Sequence, residues 1–167
     1  VELHVGVGEA RLGAGEAAKS GGDWDGVRGV LESLEPLTLK GESDLRRRLL
    51  KADVLLQEMR PTDALGVLGS SPDATAGGDL KIRFYRAVAD SYRQMGNLIE
   101  SANALERIDG LQSDPTQRLQ TQTEILRSLA LLNELVLENL QPSPPGVSGG
   151  WMQLALLVKR HGSDPAQ

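Results

Sequence analysis

"RAVADSYRQMGNLIESANALERI", residues 86–108, decides the fold. An apolar pattern runs up to Tyr92, pauses at Gly96, and resumes in a second run that carries Ser101. The small residue Ala89 in the first run has counterparts upstream in Ala52 and Gly15, at 89 − 52 = 37 and 52 − 15 = 37. Val27, Ala64 and Ser101 keep the same step, as do Leu31, Leu68 and Leu105, and Ala18, Leu55 and Tyr92. Gly22, Met59 and Gly96 mark the pause in each copy. Columns sharing one period mean that the stretch is the third copy of a repeated unit.

Each copy reads as two helices. In the middle copy Leu45, Leu49, Ala52, Leu55 and Met59 fall on one helical face. Pro61 then stands where a second helix begins, a first-turn position that proline tolerates. Ala64, Leu65 and Leu68 carry the buried face of that second helix. Small residues in matched columns let two antiparallel helices approach closely. The 64 − 52 = 12 residue gap between the small columns is the gap of tetratricopeptide repeats. The expected fold class is therefore all-α, a tetratricopeptide-like helical repeat array of about three helix pairs of period 37, in a single domain over 1–167.

The array ends after three copies, because Leu126 and Glu138 fall where small residues belong. A further helix is expected from Pro115, capped by Asp114. "QPSPPGVSGG", residues 141–150, holds three Pro and three Gly and is expected to be a loop. "WMQLALLVKR" predicts a last helix over 151–161, with Trp151, Leu154, Ala155 and Val158 on the inward face, closing the end of the stack. Eight of the 19 Gly lie within residues 6–29. Their cost to a helix predicts fraying over residues 1–8.

Composition excludes several classes of function. With 18 Lys+Arg against 23 Asp+Glu the net charge is -5, and only 3% of residues are aromatic. General affinity for nucleic acid needs concentrated positive charge or stacking platforms, so no nucleic-acid partner is expected. The chain has no Cys, which removes disulfides and thiol chemistry. His4 and His161 are the only histidines and neither has a second ligand at metal spacing. "GVGEARLG" has Arg11 where a dinucleotide fingerprint needs its third glycine. "DWDG", residues 23–26, lacks the further oxygens of a calcium loop and reads as a helix start, with Asp23 as cap and Trp24 packing inward. Pairs such as Glu42/Asp44 read as solvated. No catalytic residue, metal site or cofactor is expected, and no apolar run approaches the roughly 20 residues of a membrane span.

The one candidate surface is the inner face lined by the first helix of each pair. Placing the repeat geometry on this chain brings Arg46, Asp53, Arg83, Arg86, Asp90 and Arg93 to the concave side. Arginine suits bidentate recognition of carboxylates. The competing reading is a wet charged face with pairs such as Arg86–Asp90.

"GGDWDGVRGVLESLEP", "LLKADVLLQEMRPTDALGVLGSSP" and "GGWMQLALLVKRHGSDPAQ", in this order, resemble the N-terminal domain of the LppC/LpoA family of bacterial outer-membrane lipoproteins. The resemblance covers roughly residues 10–167. It implies a helical N-terminal domain in the periplasm, followed in the family by a periplasmic-binding-protein-like domain that contacts a class A penicillin-binding protein and activates peptidoglycan synthesis. Membrane attachment would come only through a lipid anchor upstream, and peptidoglycan is a further expected partner. The alternative is a generic adaptor that captures a peptide or protein in its groove.

Overall fold

Among the residues described by the computed structural model, 2–139 and 149–162, there are nine α-helices and no strand; side chains are described over 6–139 and 150–160. Three pairs come first: α1 (Glu2–Ser20) with α2 (Trp24–Leu34), α3 (Gly41–Gln57) with α4 (Pro61–Leu68), and α5 (Gly78–Gln94) with α6 (Leu98–Leu111). The period of 37 reappears in their boundaries. The first helices end at Ser20, Gln57 and Gln94, and the second helices begin at Trp24, Pro61 and Leu98. Three further helices follow, α7 (Pro115–Ala130), α8 (Glu134–Asn139) and α9 (Gly149–Gly162). The chain, expected as one domain, divides into two compact units, Val1–Ala87 and Val88–Gln167, with the boundary inside α5.

The turn inside each pair repeats too. Gly22, Met59 and Gly96 take φ of 75°, 58° and 75°. This left-handed conformation suits glycine and burdens a residue with a Cβ. The second helix is then started by different means. Asp23 accepts from Gly26 N at 2.9 Å and Asn97 from Glu100 N at 3.3 Å, whereas Arg60 makes no side-chain cap bond and Pro61 occupies the first turn.

In the first unit α1 packs on α2 and α3, and α3 on α4. Leu12, Val27, Leu34, Leu50 and Val54 form a buried cluster, with Trp24 packed against it. The small columns are buried as the period requires: Ala52 and Ala64 are inaccessible. A Cβ on Gly15 would stand 3.0 Å from Leu50 Cδ1 and 3.1 Å from Val30 Cγ1, so alanine there would require these side chains to give by a few tenths of an ångström. α1 includes residues 2–8, and Gly8 in it is buried, with 2.9 Å between a Cβ placed there and Leu39 Cδ2. One expectation is corrected here. Met59, expected at the end of a buried face, is 70% exposed because α3 stops at Gln57 and Met59 forms the turn.

In the second unit Ala89 is 2% exposed and its carbonyl accepts from Ser101 Oγ at 3.0 Å, which ties the two small columns of the third copy together. α7 packs on α6, and its cap is the expected one, Asp114 accepting from Thr116 N at 2.9 Å. The loop expected over 141–150 lies outside the described residues up to 148, and α9 already begins at Gly149. The rotation of α9 differs from the expected one. Met152, Ala155 and Leu156 are buried on α7 and α8, while Leu154, Leu157 and Val158 are exposed and Trp151 is half-buried. Arg160 of α9 also pairs with Glu134 at 2.7 Å and with Glu138, both on α8.

Candidate functional site

Within the first unit, polar side chains on the first helices of the pairs are arranged by the same period. Arg46 and Arg83 share a column with Glu9, at 46 − 9 = 37 and 83 − 46 = 37. Asp53 shares one with Glu16, at 53 − 16 = 37. Because the first and second columns lie two turns apart on one helical face, an arginine of a later copy can reach a carboxylate of an earlier one.

Glu16 is the centre of this network. Its carboxylate accepts from Arg46 Nε at 3.2 Å and Arg46 Nη2 at 2.6 Å, a bidentate grip, and from Arg83 Nη1 at 2.9 Å. Arg46 also donates to Glu9 at 2.5 Å, and Glu9 in turn accepts from the Ser43 hydroxyl. Asp53 is held by Lys19 of α1. The Arg46 hydrogen bonds are the main influence holding the Glu16 carboxyl below its ordinary 4.5; burial opposes them and Arg83 adds to them. Arg46 is raised correspondingly, chiefly by its hydrogen bond to Glu16.

Of the six expected surface residues, the structure thus brings Arg46 and Arg83 onto one carboxylate and places Asp53 in a separate ion pair with α1. Arg86 lies on α5 in the same unit, half-buried. Asp90 and Arg93 belong to the second unit and pair with each other along α5 at 2.6 Å. Sequence reasoning missed Glu9, Glu16 and Lys19, although the column arithmetic that aligned the small residues also aligns the first two. Asp44, expected to be solvated, is half-buried between Arg47, at 2.6 Å, and Arg48, at 3.1 Å.

Chemically the face presents charge-assisted N–H donors converging on carboxylate oxygens, the strongest class of protein hydrogen bond. Among the described residues no group of three or more His, Asp or Glu could hold a metal ion, and no helix is long and apolar enough to cross a membrane.

Paired helices of constant period followed by three irregular helices define a tetratricopeptide-like array with a helical end-piece. Solved structures to which the chain is similar include those of LpoA from Haemophilus influenzae. Its N-terminal domain, in a monoclinic form, matches 99% of this chain with a TM-score of 0.72 at 18% identity, and the chain covers 79% of that domain. Full-length LpoA matches with a TM-score of 0.71 at 17% identity over 95% of this chain, and its first monoclinic form with 0.74 at 19% over 90%. The chain spans 31% and 27% of those two full-length structures. No family model and no curated protein sequence matches the chain. At such identities the likeness establishes the fold.

Proposed function

We propose that this chain is a non-catalytic spacer and protein-interaction domain, working at the N-terminal end of an LpoA-type lipoprotein that activates a class A penicillin-binding protein in peptidoglycan synthesis. The observation that carries this reading is the match of nearly the whole chain, 99%, to the N-terminal domain of LpoA. The inner face supports a spacer over an open groove. Arg46 and Arg83, which would line such a groove, are engaged by Glu16 and Glu9 within the chain itself. On this reading the protein works in the periplasm, held at the outer membrane by a lipid anchor elsewhere in the protein. The stack would carry a partner-binding domain across the distance to a synthase in the inner membrane, a task that needs stiffness and reach rather than reactive groups.

The test is to delete residues 1–167 from the anchored, full-length protein and to assay synthase activation in cells and with purified components. Activation is expected to be lost in cells, where distance matters, and kept in solution, where it does not. Equal activation in cells would refute the spacer role.

A further inference from the structure

The inner face of the first unit holds a carboxylate in a manner that is not specific to its present occupant. Three N–H donors from two arginines on successive repeats converge on the Glu16 side chain, two from Arg46 in a bidentate grip and one from Arg83. The donors are set by helices α3 and α5, whereas the occupant comes from α1, 30 and 67 residues away in sequence. Planar guanidinium forks of this kind match any carboxylate of the same geometry.

The occupant can also leave. Glu16 is one-quarter exposed (26%) and Arg83 38% exposed, so the pair meets water along one side. A glutamate side chain that rotates about its own bonds into that water frees the Arg46 Nε and Nη2 and the Arg83 Nη1 without moving the helix. Arg46 stays aimed in the meantime by its bond to Glu9, which Ser43 holds from the other side.

We infer that Arg46 and Arg83 form a binding site for the carboxylate of an acidic peptide segment, kept closed in the free chain by Glu16 as an internal competitor. The inference goes beyond the spacer role and does not depend on it. Its energetic signature is competition: the measured affinity of an external carboxylate equals the intrinsic affinity reduced by the fraction of molecules in which Glu16 has swung out. Affinity in the native chain is therefore weak and salt-sensitive.

The probe is an acetylated, amidated Ala-Glu-Ala tripeptide, with Ala-Gln-Ala as the uncharged control, titrated into the 167-residue chain while the arginine side-chain resonances are followed by NMR. Saturable shifts are expected for the glutamate peptide alone, tightening about tenfold in Glu16→Gln, where the competitor is neutral but keeps its shape. Arg83→Ala should abolish them. Circular dichroism verifies that each variant is folded. Should Glu16→Gln fail to fold, the native chain against Arg83→Ala still decides. The inference is overturned by equal response to the two peptides, by no saturable shift in any folded form, or by shifts that persist in Arg83→Ala.

Discussion

Replacing Met59 by glycine should make the chain more stable, although it deletes a large apolar side chain. Met59 is the one non-glycine residue with positive φ among the described residues, at 58°, and the other two copies of the repeat put glycine at the same turn with φ of 75°. An L-residue in the left-handed region costs roughly 1–2 kcal/mol. The side chain that would compensate is 70% exposed, so its removal forfeits little burial. Against the released strain stands the greater freedom of glycine in the unfolded chain, roughly 0.5–1 kcal/mol. The balance is a gain of about 0.5–1 kcal/mol, equivalent to a rise in Tm of about 1–4 °C for a chain of this size. The first unit contains Trp24, packed against its core cluster. Thermal unfolding followed by Trp24 fluorescence in a Trp151→Phe background therefore reports on the right unit. The reverse substitution in the same unit serves as control: Gly22→Ala meets no atom within 4 Å of the new Cβ and should lose about 1 kcal/mol through φ alone. A Met59→Gly variant with an unchanged or lower Tm would refute the argument that the turns share one backbone geometry for one physical reason.

Two further outcomes follow from the packing and the ion pairs. Ala89→Leu should cost about 1–3 kcal/mol in urea unfolding, because Ala89 is 2% exposed and its own carbonyl is bonded to Ser101 across the pair, leaving no slack for three more carbons; a cost near zero would mean that the contact is loose. Acid should weaken the first unit through Glu16. A carboxyl held below its ordinary 4.5 in the folded chain contributes stability that is fully present above that value and is lost as pH falls through the lower, folded value. Urea midpoints from pH 7 to pH 3 should therefore fall less in Glu16→Gln than in the native chain, and parallel curves would contradict the assignment.

The architecture was legible because small residues in a helix pair are a steric requirement and so recur at the period of the structure. Ala52, Ala64 and Ala89 announced their burial by position alone. The orientation of α9 was not legible, since "WMQLALL" is apolar on more than one side and the period alone does not say that Met152 and Leu156 are buried while Leu154 and Leu157 are exposed. The polar face was half legible. Arg46 and Arg83 could be singled out, but their pairing with Glu16 depends on how far neighbouring copies are displaced, which a repeat period does not state.

The bond between Arg83 and Glu16 joins the third copy of the repeat to the first. In an ordinary repeat array each copy touches only its neighbours, and an end copy can unravel while the others stay folded. A link that skips one copy adds a small coupling, on the order of 0.2–1 kcal/mol for a partly exposed pair, because losing α1 takes a carboxylate from both α3 and α5 at once. Hydrogen exchange in α1 should accordingly be faster in Arg83→Ala than in the native chain, by no more than the severalfold that so small a coupling allows.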